Sequence, residues 1–176
     1  SRQGLKINEY GVFRVRGDRR LGGREEAEVY RAVGLPWIPP ELREDTGEIE
    51  AAKAGRLPPL VEAKDIRGDF HIHTTWSDGS DSLEEMAKAG RSRGYRYLAI
   101  CDHSRSLKVA HGMPVPRLRQ QMQKIRTLNK QFDGSFRLLM GAEVDILNDG
   151  AMDYPNEVLV DLDFVIGSVH TGFTQA

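Results

Sequence analysis

Cysteine is nearly absent from this 176-residue chain, which contains a single thiol at Cys101. One cysteine cannot form an internal disulfide, so the chain fits a reducing compartment such as the cytoplasm. The same scarcity argues against a structural zinc site built from several thiolates. Any metal site in this chain is therefore expected to use histidine and carboxylate ligands.

Long apolar runs and a strong charge of one sign are also missing. No stretch approaches the length of a membrane span, and no signal peptide is recognisable. The net charge is -1, which gives no overall electrostatic footprint for nucleic acid, although a local groove remains open. The length fits one medium domain or one and a half small ones. Because the chain starts without methionine and stops soon after a candidate ligand, we expect an internal piece of a longer protein.

The first 64 residues differ in pattern from the rest. Two alternating runs around Gly11 predict a strand or hairpin over 5–15, and apolar spacing predicts helices over 24–33 and 47–54. Thr46 is the expected N-cap of the second helix. Five arginines also cluster here, suited either to phosphate contact or to a solvated face beside neighbouring glutamates. They are Arg14, Arg16, Arg19, Arg20 and Arg24.

Residues 65–176 alternate between strands and helices. The expected strands cover 69–74, 97–101, 137–145 and 164–169, and the expected helices cover 82–93, 114–131 and 156–161. Such alternation predicts an α/β fold with a parallel sheet or a β/α barrel.

A His-x-His pair lies in the first of these strands. Alternate residues of a strand point to one face, so His71 and His73 project side by side. Neutral imidazole is the commonest metal ligand among side chains, and a metal would satisfy a polar pair that is costly to bury alone. Asp78 follows on a loop that Gly79 lets turn sharply, so its carboxylate can return to the same place.

Every other predicted strand also ends in a side chain able to bind metal. His103 follows the second strand, Glu143 lies in the third and His170 follows the fourth. The carboxyl ends of parallel strands in β/α folds converge on one face, where sites form. The candidate metal ligands are His71, His73, Asp78, His103, Glu143 and His170.

This donor set favours an open catalytic site for Zn, Mn or Fe. Six candidates exceed what one tetrahedral ion needs, so we expect two or more ions with Glu143 as the bridging carboxylate. Closely spaced ions suit phosphoester hydrolysis, because they lower the pKa of a bound water and stabilise the attacking and leaving oxygens.

Other polar residues near the strand ends have open roles. Asp102 and Asp145 could orient a ligand histidine from behind or be structural loop aspartates. Arg105 and Lys108 could bind a substrate phosphate or be solvated, and His111 is an exposed loop histidine or a substrate contact. The catalytic candidates are Asp102, His103 and Glu143, and the substrate-binding candidates are Arg105, Lys108 and His111.

Several motifs match a known family in order and spacing. DFHIHT at 69–74, SDG at 77–79, CDHS at 101–104, GAE at 141–143 and GSVH at 167–170 resemble the first four motifs of the PHP (polymerase and histidinol phosphatase) superfamily. The resemblance implies a partial, distorted seven-stranded β/α barrel, a trinuclear metal centre and phosphoesterase activity. LKINEYGVF at 5–13 and EVYRAVGLPWIPPELRE at 28–44 resemble the end of the thumb of bacterial family X DNA polymerases, a small α+β segment.

The two resemblances together imply a domain order and a function. They divide the chain into a thumb end (1–45), a linker (46–64) and the first half of a PHP domain (65–176). The implied parent is a gap-filling repair polymerase whose PHP domain is similar to 3′–5′ exonucleases, abasic-site endonucleases and 3′-phosphatases. Its partner would be DNA, and its PHP site would hold two or three ions of Mn, Zn or Fe.

Part of the family's machinery lies outside this sequence. The palm carboxylates, which bind the Mg or Mn of polymerisation, would lie upstream, and the remaining PHP ligands would lie downstream. This piece alone is expected to be an incomplete enzyme. Two other functions stay open: a small-molecule phosphatase of the histidinol-phosphatase type, and a metal-binding scaffold without catalytic activity.

Overall fold

The computed structural model describes residues 4–170, which form two units. The first ends at Val61 and the second begins at Glu62. In the described residues, no helix is both long enough and apolar enough to cross a membrane. The predicted domain boundaries at residues 45 and 64 stay predictions.

The first unit is built on a three-stranded antiparallel sheet in the order β1-β2-β3. Its strands and helices are β1 (Leu5–Asn8), β2 (Gly11–Arg14), β3 (Arg20–Gly22), α1 (Glu26–Ala32) and α2 (Glu48–Lys53). Of the two alternatives predicted for residues 5–15, a strand or a hairpin, the structure shows the hairpin, whereas β3 was not predicted. A Cβ at Gly11 would lie 2.4 Å from the Gly22 carbonyl oxygen, so only glycine lets the strands approach here. The arginine cluster is exposed in this unit.

Both predicted helices of the first unit are present, but the N-cap prediction at Thr46 is wrong. The residue that precedes α2 is Gly47, in a left-handed conformation with φ 101°. The Glu48 carboxylate accepts hydrogen bonds from the backbone N–H groups of Asp45 (3.2 Å) and Thr46 (2.8 Å). The Glu48 side chain, at the start of α2, therefore satisfies two backbone N–H groups that precede the helix.

The second unit contains two parallel sheets, one of three strands in the order β4-β5-β6 and one of two strands, β7-β8. Its elements are β4 (Gly68–Ile72), α3 (Leu83–Ser92), β5 (Tyr97–Ile100), α4 (Val115–Asn129), β6 (Arg137–Met140), β7 (Glu143–Asp145), α5 (Asn156–Leu159) and β8 (Ile166–Ser168). The prediction of an α/β fold with parallel strands is confirmed.

One predicted strand is broken, and this break divides the sheets. The stretch 137–145 forms β6 and β7, separated at Gly141 and Ala142. A Cβ at Gly141 would lie 2.7 Å from the Phe164 ring, so the backbone passes close to that ring. The sheets approach each other where His103 and Glu143 form an isolated parallel bridge. The described residues thus form two short sheets, and a partial barrel is not confirmed.

Helices α3 and α4 pack on the three-stranded sheet. Ser82 caps α3 through a reciprocal capping box with Glu85, in which Ser82 Oγ accepts from the Glu85 N–H at 3.3 Å. The core beneath the helices joins apolar side chains of α3, α4, β5 and β6, including Leu83, Leu98, Ile125 and Leu138. This packing orders the strands and leaves their carboxyl ends free to hold polar side chains.

Cys101 follows β5 and is fully buried. Its Sγ lies 3.2 Å from the carbonyl oxygen of Phe70. Burial raises the pKa of this thiol to about 12, so it stays protonated near neutral pH. Cys101 is therefore a packing residue.

Candidate metal centre

The His-x-His pair lies at the carboxyl end of β4. The strand ends at Ile72, so His73 is the first residue of the following loop. The ring centroids of His71 and His73 are 5.0 Å apart, and those of His73 and His103 are 4.4 Å apart. The end of β4 therefore brings two imidazoles beside a third, which follows the neighbouring strand β5.

The loop after His73 folds back toward these rings and carries Asp78. One carboxylate oxygen of Asp78 lies 3.4 Å from His73 Nδ1, and the other lies 3.6 Å from His103 Nε2. A Cβ at Gly79 would lie 2.5 Å from the backbone of His73 and of Thr74. Glycine is required at this position, because any side chain would push the loop that presents Asp78 away from His73.

Glu143 lies in the middle of the site, at the start of β7. Its Oε2 atom is 3.1 Å from His71 Nε2, 3.4 Å from His73 Nε2 and 3.3 Å from His103 Nδ1. Its Oε1 atom is 3.2 Å from His170 Nε2. One carboxylate thus faces four imidazoles, and all six predicted ligands lie in one place.

The charge states of two central groups suit metal binding. Burial alone would raise the pKa of Glu143, but hydrogen bonds with His71 and Ser168 outweigh it and hold that pKa below its usual value. Burial, together with the nearby His73, lowers the pKa of His103. Glu143 is therefore ionised and His103 neutral near pH 7, which leaves lone pairs on both.

The residues present fit divalent metal ions. Two buried ring nitrogens, His73 Nδ1 and His103 Nδ1, have no hydrogen-bond partner among residues 4–170, and an unpaired buried polar atom is costly unless something binds it. Three overlapping groups of possible ligands have their donor atoms within 4.8 Å of one another. The groups are His71, His73 and Glu143; His73, Asp78 and His103; and His103, Glu143 and His170.

Asp102 lies beside this cluster without joining it. The side chain is fully buried and accepts four hydrogen bonds. The donors are the Thr74 N–H (2.8 Å), the Thr74 hydroxyl (2.6 Å), the Ser77 hydroxyl (2.5 Å) and the Gln121 amide (2.5 Å). This geometry favours the structural alternative, in which Asp102 anchors the loop that carries Asp78. A catalytic role for Asp102 stays a prediction.

Three supporting residues were missed by sequence reasoning: Thr74, Ser77 and Gln121. The role of Gln121 could have been predicted from its position. It lies on α4 between the buried Leu118 and Met122 and is itself fully buried. A polar residue at a core position of a helix needs a buried partner. Asp102 is that partner for Gln121.

The substrate-binding candidates lie outside the ligand cluster. Arg105 Nε donates to Asp153 at 3.1 Å, although half of the Arg105 side chain remains exposed. Lys108 is exposed in a 3₁₀ turn, and His111 is exposed in a left-handed conformation with φ 56°. Their role in binding substrate stays a prediction.

Comparison with known proteins identifies the family. A family profile described as "PHP domain" matches residues 69–176. The chain belongs to the PHP family. A second profile, "DNA polymerase beta thumb", matches residues 1–44, ahead of the PHP region. Both resemblances drawn from the motifs are confirmed: a segment matching a polymerase thumb precedes a PHP segment in this chain.

Individual relatives agree with this assignment of thumb and PHP regions. The chain is 46% identical over 173 residues to the DNA polymerase/3'-5' exonuclease PolX of Bacillus subtilis, a match that covers 98% of this chain and 30% of that protein. Over 104 residues it is 36% identical to a probable phosphatase of Acetivibrio thermocellus, which covers 58% of this chain and 40% of that protein. The chain thus spans less than half the length of these PHP relatives.

Proposed function

We propose that this chain is part of a family X DNA repair polymerase and that its PHP unit trims DNA from the 3′ end by metal-dependent phosphodiester hydrolysis. The observation that carries the proposal is the Glu143 carboxylate, which faces four imidazoles. Two of these rings, His73 and His103, also lie next to the Asp78 carboxylate. The order of thumb and PHP regions supports DNA as the substrate, since it is matched along nearly the whole chain by a relative named as a polymerase and exonuclease.

The finer organisation is proposed on the same basis. Residues 1–45 would end a thumb, 46–64 would link it to the PHP unit, and 65–176 would belong to a distorted (β/α)7 barrel completed by chain outside this sequence. The parent protein would act in the cytoplasm on gaps, 3′ ends or abasic sites. Its palm, with Mg or Mn for polymerisation, would also lie outside this sequence.

In the proposed mechanism, the residues of the cluster and of the loop after His103 have separate roles. Divalent ions, when bound, would lower the pKa of water and neutralise charge on the phosphate. Glu143 and the flanking histidines would hold two or three ions of Mn, Zn or Fe. Asp78 would be a further ligand beside His73 and His103. Neutral His103 keeps the lone pair of its unprotonated ring nitrogen for this purpose. Arg105, Lys108 and His111, on the loop after His103, would bind phosphates flanking the scissile bond.

A second function is favoured by one observation. The relatives that match only 104 residues are named probable phosphatases. A small-molecule phosphatase would cleave a phosphate monoester and ignore a recessed 3′ end, and the polymerase would do the reverse. A scaffold without activity would bind metal and cleave neither substrate. Comparing both substrates in one metal-loaded preparation separates the three functions.

His103→Ala in the full-length protein is expected to abolish Mn-dependent trimming of 3′-recessed DNA. His103 is within 3.6 Å of both Glu143 and Asp78, so its loss removes a donor shared by two groups of ligands. Even the partners that orient metal ligands cost about 10–100-fold when mutated, and loss of a ligand should cost at least about 100-fold. The measurement is single-turnover trimming of an end-labelled primer.

The control for this variant is Lys53→Ala, at the end of α2 in the other unit, which should trim normally. Polymerisation by the His103→Ala protein is measured in parallel and should persist, because it reports intact folding and DNA binding. Trimming that is unchanged in the variant would contradict the proposed role of His103.

A further inference from the structure

Asp145 is a buried carboxylate that the proposed function leaves without a task. It lies at the end of β7, two residues after Glu143, and only 3% of it is exposed. Burying a carboxylate is costly unless each oxygen finds a hydrogen bond. The partners of its two oxygens therefore indicate what this residue does.

The first oxygen is directed at His170. Asp145 Oδ1 lies 2.6 Å from His170 Nδ1. A carboxylate offers only acceptors, and a neutral imidazole carries one N–H and one lone pair. In the neutral ring that metal binding requires, the proton is then on Nδ1, and the lone pair is left on Nε2. That second nitrogen lies 3.2 Å from Glu143 Oε1 and 3.2 Å from the Ser168 hydroxyl.

The second oxygen is fixed from behind by the loop after His103. Asp145 Oδ2 accepts a hydrogen bond from the Ser106 hydroxyl. The Ser106 N–H in turn donates to Asp153 at 2.7 Å, and the Asp153 N–H donates to the Asp145 carbonyl oxygen at 2.9 Å. Asp153 is also buried and is paired with Arg105. This closed set of bonds leaves the Asp145 carboxylate little freedom to rotate.

We propose that Asp145 is a positioning residue that holds the proton of His170 on Nδ1 and directs the Nε2 lone pair toward the Glu143 site, with Ser106 as its support. An unprotonated nitrogen 3.2 Å from a carboxylate oxygen places two lone pairs face to face, and a cation between them removes the repulsion. The inference rests on the proposed metal centre and assigns the histidine orientation within it. It also gives Arg105 a structural task through Asp153.

The test is Zn²⁺ binding and ring NMR on the chain, with Asp145→Leu as the disruptive variant. Zn²⁺ is used because it is diamagnetic and leaves the ring signals visible. We expect the wild type to show a protected His170 Nδ1–H signal, and Asp145→Leu to lose that signal and bind Zn²⁺ about 10–100-fold more weakly. Asp145→Asn keeps an acceptor oxygen of the same reach and should recover most of both losses.

Two further variants complete the design. Ser106→Ala removes only the support and should weaken Zn²⁺ binding by about tenfold, the lower end of the range for outer partners. Ser106→Ala replaces Asp145→Leu as the test variant if the Asp145→Leu protein does not fold. Asp161→Leu, an exposed position, is the matched control and should behave as the wild type.

The outcomes separate this inference from the proposed function. If the wild type binds no Zn²⁺, both are overturned. If the wild type binds Zn²⁺ and Asp145→Leu or Ser106→Ala binds it as tightly with the Nδ1–H signal intact, only the positioning role is overturned. Equal losses in Asp145→Asn and Asp145→Leu would also overturn it, since an acceptor at the same place would then have no effect.

Discussion

Glu143→Gln is expected to remove most of the metal capacity of the chain while leaving it folded. The carboxylate faces His71, His73 and His103 with one oxygen and His170 with the other. The amide keeps the shape of the side chain but loses the negative charge and one acceptor oxygen. Metal affinity should fall by at least about 100-fold, beyond the effect of losing a partner that only orients a ligand. Titration calorimetry with Mn²⁺ and with Zn²⁺ measures this.

Glu157→Gln is the matched control, because Glu157 is exposed on α5. It should bind both ions as the wild type does. Far-ultraviolet circular dichroism of Glu143→Gln should be unchanged, which shows that the loss is local. An unaltered affinity for both ions in Glu143→Gln would remove this residue from the centre.

Asp102→Ala is expected to lower the free energy of unfolding by about 3–5 kcal/mol, because it leaves several buried neutral donors without an acceptor. Four donors from Thr74, Ser77 and Gln121 lose their acceptor in a site closed to water. Each unsatisfied buried donor costs about 1–3 kcal/mol, and relaxation makes the sum smaller than the parts. Against a typical total of about 5–15 kcal/mol, the change is large. Urea denaturation measures it.

Asp161→Ala is the control here, an aspartate at an exposed position, and should change the free energy of unfolding by no more than about 0.5 kcal/mol. Asp102→Asn tests the charge separately: it keeps two acceptor sites but turns an amide toward two of the donors, so it should also destabilise the chain. A change below about 1 kcal/mol in Asp102→Ala would be too small for a residue that anchors the loop.

The convergence of the candidate ligands could be predicted from sequence because it depends on local rules. His71 and His73 share a face by strand periodicity, and His103 and His170 follow strands whose carboxyl ends parallel topology brings together. Glu143 lies just after the end of β6, as the first residue of β7. Strong apolar runs, such as Leu98 to Ile100, located the strands themselves. For these residues, position along the chain carries most of the information about position in space.

The supporting bonds could not be predicted, because they join residues far apart in the chain. Asp102 reaches Thr74, 28 residues earlier, and Gln121, 19 residues later. The break between β6 and β7 has a similar origin, since it depends on how closely Gly141 approaches the Phe164 ring. At Gly47, the left-handed backbone takes the N-cap position expected for Thr46, and the Glu48 carboxylate binds the Asp45 and Thr46 N–H groups instead.

The buried thiol of Cys101 can be used to detect local opening of the chain. With the sulfur fully enclosed and protonated near neutral pH, an alkylating reagent can react only in molecules that have opened locally at β5. Because Cys101 directly precedes Asp102 and His103, the same opening would also disturb the loop anchor and the ligand cluster. The rate of alkylation is followed by mass spectrometry with and without added ions. The difference between the two rates therefore measures how strongly metal binding suppresses local opening of this part of the molecule.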